Sequence, residues 1–214
     1  MNLAERNLIL TGFMGTGKTT VGRGVAQRLG RPFVDMDAVI AERAGRTIPE
    51  IFRELGEDAF RQLERALCQE LAARQGLVIA TGGGALVDPL NRDALARSGI
   101  LICLDCAAPQ LLQRLRGAQD RPMLWGDDPE RRLGELLAAR QAAYARIVHH
   151  LDTTHLPLQK VIEAVVARYG RPPTQWQVRT PTGSYAVHLA AAGLDALGPL
   201  LRIQPGGGQV HRIA

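Results

Sequence analysis

The chain has 214 residues, 46% of them hydrophobic and only 4% aromatic, and a net charge of +5. That length holds one α/β core of ~100–200 residues and a short appendage, and no apolar run approaches the ~20 residues that span a bilayer, so a membrane protein is not expected. Basic residues are dispersed and aromatics scarce, so the charge does not mark a nucleic-acid surface, and an anionic small substrate explains it equally well.

The opening MNLAERNLILTGF passes within a few residues into a glycine-rich stretch. It leaves no room for a signal peptide, and a cytoplasmic location is expected. Cys68, Cys103 and Cys106 are too few and too scattered for a disulfide framework. Cys103 and Cys106 form a CxxC at a strand end with no second pair at zinc-site spacing, and they read as buried or incidental. His149, His150, His155, His188 and His211 likewise match no zinc-site spacing.

Along the chain, short apolar runs recur at LILT (8–11), PFVDM (32–36), LVIAT (77–81), ILICL (100–104) and, more weakly, IVHHLD (147–152). Strands buried on both faces have this pattern. Segments of helical period fall between or after them at 18–29, 56–74, 91–98, 130–147 and 158–169, long enough for right-handed crossovers between parallel strands. The expected architecture is a doubly wound parallel sheet covered by helices, with ligands at the carboxyl ends of its strands.

The first run leads into Gly12-Phe13-Met14-Gly15-Thr16-Gly17-Lys18-Thr19, a complete GxxxxGK[ST] between a strand and an amphipathic segment. Backbone N–H groups of such a loop turn inward on phosphates, the lysine neutralises their charge, and the hydroxyl of Thr19 ligates Mg²⁺. Asp35 and Asp37 close the second run, and two residues apart on a strand they face one site. One carboxylate can serve a metal and the other an acceptor hydroxyl, with helix capping by Asp37 as the plainer alternative.

In the 56–74 segment, Phe60, Leu63 and Leu67 form an apolar stripe flanked by Arg61 and Glu64. That pair is either a surface ion pair or a carboxylate grip with its support, and spacing alone does not choose. Gly82-Gly83-Gly84 follows the third run and allows close backbone approach, or is simply a tight turn. Arg121 opens RPMLWGDD, a segment fit for a lid or for a plain surface loop. Arg140 falls within the stripe of Leu133, Leu137, Tyr144 and Ile147, and an inward charge needs a buried acid or an anionic ligand.

In this order the motifs over about 5–170 resemble the shikimate kinase family. GFMGTGKTTVGRGVAQRLG resembles its P-loop and first helix, FVDMDAVIAERAGRTIPEIF its DxD region, GEDAFRQLE its FRxxE helix, TGGGA its glycine triad, RPML its lid and RQAAY its late substrate arginine. The resemblance implies a P-loop NTPase fold of the nucleoside-monophosphate-kinase type, a five-stranded parallel sheet flanked by helices with a lid. It implies transfer of the ATP γ-phosphate to the 3-hydroxyl of shikimate by a monomer, with Mg²⁺ at Thr19 and Asp35. ATP would be held by Gly12, Met14, Gly15, Thr16, Gly17, Lys18, Thr19 and Thr20, by Arg121 from the lid, and at the adenine by Arg114 and the loop at Pro157. Shikimate would meet Asp37, Arg61, Gly82, Gly83 and Arg140, with Glu64 supporting Arg61; Lys18, Asp37 and Arg121 would serve catalysis. The chain departs from the family pattern at His155, where an arginine is usual near Pro157, and at Ala142, where a proline is usual.

After Tyr169, GRPPTQWQVRTPTG reads as a linker over 171–183, followed by a short extension over 184–214. Residues 178–201 resemble the opening strands and helix of 3-dehydroquinate synthase. Nothing here could hold that enzyme's NAD and metal sites, so a truncated or vestigial fusion arm without synthase activity is expected, with an unrelated hairpin or disordered extension as the plainer alternative. The rivals for the whole chain are a related kinase such as one acting on gluconate, and a non-catalytic nucleotide-binding module.

Overall fold

A computed structural model describes residues 5–115, 128–170, 175–180 and 183–188. Its internal contacts divide the chain into units at 1–170 and 171–214.

The first unit holds five parallel strands, β1 (Asn7–Gly12), β2 (Phe33–Asp35), β3 (Val78–Ala80), β4 (Gly99–Asp105) and β5 (His149–Asp152), in the order β2-β3-β1-β4-β5. Seven α-helices are described: α1 (Lys18–Leu29), α2 (Met36–Ala44), α3 (Ile48–Ala72), α4 (Pro89–Ser98), α5 (Ala108–Leu115), α6 (Pro129–Tyr144) and α7 (Leu158–Tyr169). This is the P-loop kinase fold that the motifs imply. None of these helices is long and apolar enough to cross a membrane.

Alternation along the central strands builds two cores. Leu8 and Leu10 of β1 with Ile100, Ile102 and Leu104 of β4 pack beneath α1 and α7. Ile9, Leu101 and Cys103 face the other way, toward α3, α4 and α6. The central strands carry apolar side chains on both faces because both are covered; β2 and β5 lie at the edges, where half-exposed positions enter.

Several local expectations are corrected. Strand β2 ends at Asp35, and Asp37 lies in the first turn of α2 rather than on the strand. Asp35, not Asp37, is the N-cap, accepting from the backbone N–H groups of Asp37 and Ala38. The helix expected from Gly56 begins earlier, at Ile48, where Thr47 and Glu50 form a capping box and Pro49 occupies the first turn. Gly56, at φ 83, breaks it into two segments, a conformation that glycine adopts without strain. Leu63 is 38% exposed and Glu64 takes the inward position beside Phe60 and Leu67 at 1%. The expected 130–147 helix ends at Tyr144.

In the second unit, β6 (Gln175–Thr180) and β7 (Gly183–His188) pair antiparallel, Gln175 opposite His188 and Thr180 opposite Gly183. Part of the stretch read as a linker is therefore strand, formed by the Q-W-Q-V alternation between its prolines. The helix expected within 178–201 lies outside the described residues, as does Arg121 with most of the RPMLWGDD segment.

Candidate active site

The loop from β1 to α1 is shaped by glycines. Gly12, Gly15 and Gly17 have φ values of 131, 81 and 93, and a Cβ on Gly12 would collide with the carbonyl oxygen of Leu104 on the neighbouring strand. Thr16 is buried and donates to the Phe13 carbonyl at 2.8 Å. Lys18 Nζ folds over the loop and donates to the Gly12 and Phe13 carbonyls, both at 2.9 Å. The Thr19 hydroxyl donates to Asp35 Oδ2 at 2.6 Å. Thr20 is exposed on the first turn of α1. Thr19 and Asp35 offer only oxygen donors, a set suited to a hard cation.

At the far end of the loop, Arg114 on α5 donates to the carbonyls of Gly15 at 3.4 Å and Thr153 at 3.0 Å. Pro157 opens α7 at the end of the loop that contains Thr153. Met14 is buried beside the turn that follows β3, where a Cβ on Gly83 would stand 3.3 Å from its backbone nitrogen.

That turn, Gly82-Gly83-Gly84, gathers the remaining residues, each glycine against a different one. A Cβ on Gly82 would stand 2.5 Å from Glu64 Oε1 and 2.9 Å from Asp37 Oδ1. On Gly83 it would stand 3.5 Å from Arg140 Nη1, and on Gly84 2.9 Å from Arg61 Nη1. Close approach, not turn geometry alone, is what the triad provides.

Arg61 donates to the buried Glu64 Oε2 at 2.8 Å and to Glu57 Oε1 at 2.9 Å, so its fork is held from both sides. It is a partly buried arginine on an inward carboxylate, not a plain surface pair. Burial pushes the Glu64 carboxyl above the usual carboxylate range, and Arg61 opposes that shift. Its Oε1 atom takes no hydrogen bond among the described residues. Arg140 is 6% exposed, donates to the Gly83 carbonyl at 3.2 Å, and lies over the Phe13 ring with its guanidinium carbon 5.3 Å from the centroid, a favourable cation–π arrangement. Tyr144, one turn on, donates its hydroxyl to the same carbonyl. Burial pushes that hydroxyl up to about 12, so it stays a donor at neutral pH.

The structure thus brings together Gly12 to Thr19, Asp35, Asp37, Arg61, Glu64, Gly82, Gly83 and Arg140, with Arg114 at the loop's outer end. Two contributors escaped the sequence. Phe13 occupies an unconstrained position of the motif, and Thr153 acts through a backbone carbonyl; neither gives a signal in residue type.

The first turn has the form of a phosphate-binding loop, and the second gathers two arginines with Glu64 and Asp37. Residues 14–169 match the family model described as shikimate kinase. The shikimate kinase of Geobacter sulfurreducens is 43% identical over 160 residues, 75% of this chain and 88% of that protein. That of Symbiobacterium thermophilum is 45% identical over 165 residues, 76% of this chain and 95% of that protein. A solved structure of shikimate kinase from Acinetobacter baumannii in complex with shikimate is 38% identical, with a TM-score of 0.74, and covers 77% of this chain and 92% of its own. From the phosphate-binding loop to α7, this chain belongs to the shikimate kinase family.

Proposed function

We propose that the chain phosphorylates the 3-hydroxyl of shikimate from ATP, giving shikimate 3-phosphate and ADP in aromatic amino acid biosynthesis. The observation that carries this reading is the convergence of Arg61, Arg140 and Asp37 on Gly82 to Gly84, directly beside the phosphate loop. Two arginine forks at one turn suit a carboxylate, and an aspartate at the same turn suits ring hydroxyls.

Gly12, Met14, Gly15, Thr16, Gly17 and Thr20 lie along the phosphate path. Lys18 exchanges its loop carbonyls for the β- and γ-phosphates. Arg114 and Pro157 flank the adenine. Thr19 and Asp35 hold Mg²⁺, which when bound neutralises phosphate charge. Asp37 accepts the hydrogen bond of the acceptor hydroxyl and takes its proton as the new P–O bond forms and the β–γ bridging bond breaks. Arg121 reaches the phosphates from the lid segment. Positioning and charge neutralisation supply the acceleration.

The chain is read as a monomer, and the three free cysteines favour a reducing cytoplasm. Residues 184–214, beyond the family match that ends at residue 169, are read as a short extension.

Coupled ADP release with Mg-ATP, comparing shikimate, gluconate and no acceptor, tests the reading. Shikimate-dependent turnover should fall on the order of 100-fold in kcat/KM in Arg140→Ala, the effect of losing charge-assisted hydrogen bonds to a carboxylate. Turnover with gluconate alone would replace shikimate by the rival substrate. Nucleotide binding without turnover on either would leave a non-catalytic module.

A further inference from the structure

Away from the oxygen donors of Thr19 and Asp35, a second group of ligand-type atoms stands at the β4–β5 edge. A sulfur of Cys103, a carboxylate oxygen of Asp105 and a ring nitrogen of His150 all lie within 4.8 Å of one another. Cys103 and Asp105 are two apart on β4 and so share a face, and His150 sits opposite Cys103 in the parallel register with β5. Sequence spacing could not reveal the group, because its members come from two separate strands.

The hydrogen bonding of His150 carries the argument. Its Nε2 lies 3.2 Å from the Tyr144 carbonyl oxygen. In the tautomer that donates from Nε2 to that carbonyl, the lone pair is on Nδ1, the form in which a histidine binds a metal through that atom. That lone pair faces Asp105 Oδ2 at 2.7 Å. In that tautomer the 2.7 Å gap has room for a bound cation once it opens slightly, whereas in the other tautomer Nδ1 donates its hydrogen to Asp105 directly. The Cys103 thiol lies 3.5 Å from the other oxygen of the same carboxylate, Oδ1. A metal-bound histidine is commonly oriented by a carbonyl accepting from its other nitrogen, as Tyr144 does here.

We propose that Cys103, Asp105 and His150 form a binding site for a divalent cation of the zinc type, with water as the remaining ligand. Sulfur, imidazole nitrogen and carboxylate oxygen are a borderline-soft donor set that favours such ions over Mg²⁺. Bonds of ~2.0 Å to nitrogen and oxygen at tetrahedral angles require the Nδ1–Oδ2 separation to open by about half an ångström. The side chains of His150 and Asp105 are 37% and 43% exposed, which permits that adjustment and gives both an entry path and a place for water. On coordination the Cys103 thiol gives up its proton to solvent. The ion ties edge strand β5 to β4 and, through Tyr144, to the end of α6.

Untagged, metal-free full-length protein titrated with Co²⁺ tests this by absorption, since a thiolate ligand produces a charge-transfer band in the near ultraviolet. Wild type should show a saturable band that Zn²⁺ displaces, and Zn²⁺ should raise its melting temperature. His150→Gln, a change at a partly exposed position that leaves the core intact, removes a direct ligand and should weaken binding by more than the ~10–100-fold that loss of an outer-shell partner costs. Cys103→Ser should abolish the band, and Cys106→Ser should retain it. A folded wild type without the band at millimolar Co²⁺, a band unaltered in His150→Gln, or a band lost in Cys106→Ser would each overturn the site and leave His150 as a hydrogen-bond partner of Asp105 alone.

Discussion

The Thr19 hydroxyl donates a 2.6 Å hydrogen bond to Asp35 Oδ2, while Oδ1 of the same carboxylate accepts from the backbone N–H groups of Asp37 and Ala38 at 3.1 and 3.4 Å. One aspartate therefore fastens the start of α1 to the start of α2 and sets where Asp37 stands. Substitution separates the two roles. Asp35→Asn keeps an oxygen for the cap and loses the charge, so its stability should stay within about 0.5 kcal/mol of wild type while turnover with Mg-ATP falls on the order of 100-fold. Asp35→Ala should lose the cap as well, a cost of about 1 kcal/mol or ~2–4 °C in melting temperature. Thermal melts beside ADP release read both effects, and wild-type turnover in Asp35→Asn would remove Asp35 from the phosphate end.

Glu64 makes stability depend on pH. Burial raises its carboxyl above the ordinary value of 4.5, Arg61 opposes the shift, and the Asp37 charge adds to it. The native state therefore holds this proton more tightly than the unfolded chain does. The resulting stabilisation is complete below the unfolded pKa and is lost as pH rises through the folded one. Glu64→Gln removes the titration, so wild type should lose stability relative to the variant as pH rises from about 4.5. Paired melting curves across that range check it, and parallel curves would dismiss it. The variant also loosens Arg61, so KM for shikimate should rise about tenfold with a smaller change in kcat.

Much of this was legible before any coordinates. The phosphate loop is contiguous in sequence, and its lysine and threonine have fixed places; the apolar runs located all five strands, and α1 and α7 keep their expected bounds. What failed had physical causes. An apolar-stripe reading sends charges outward, so it placed Leu63 inside and missed that Glu64 is drawn in by Arg61. The alternation rule assumed that β2 continued to Asp37, whereas α2 begins immediately after Asp35. The 5.3 Å approach of Arg140 to Phe13 and the pairing of Cys103 with His150 join distant parts of the chain, and composition carries no trace of either.

Gly82→Ala should act on the acceptor side alone. The new methyl would stand 2.5 Å from Glu64 Oε1 and 2.9 Å from Asp37 Oδ1, so both carboxylates must shift. A displacement of this kind misplaces the acceptor hydroxyl, and kcat/KM for shikimate should fall on the order of 100-fold, with KM for ATP little changed. Steady-state kinetics with each substrate varied in turn separates the two. Equal losses for both substrates would place Gly82 in the general fold rather than at the acceptor.

The same chemical change should have the opposite sign at Gly134. This residue is exposed in the interior of α6, its φ is not positive, and a Cβ there would meet nothing within 4 Å. Glycine in a helix interior is less favourable than alanine by about 0.5–1 kcal/mol, through the backbone freedom it retains in the unfolded chain. Gly134→Ala should therefore stabilise the protein by about that amount, a rise of ~1–4 °C. Its kinetics should match wild type, since Arg140 and Tyr144 keep their places further along the helix. A fall in melting temperature would mean that α6 needs the extra freedom at Gly134, and a change in KM for shikimate would mean that this freedom is transmitted to the Arg140 clamp.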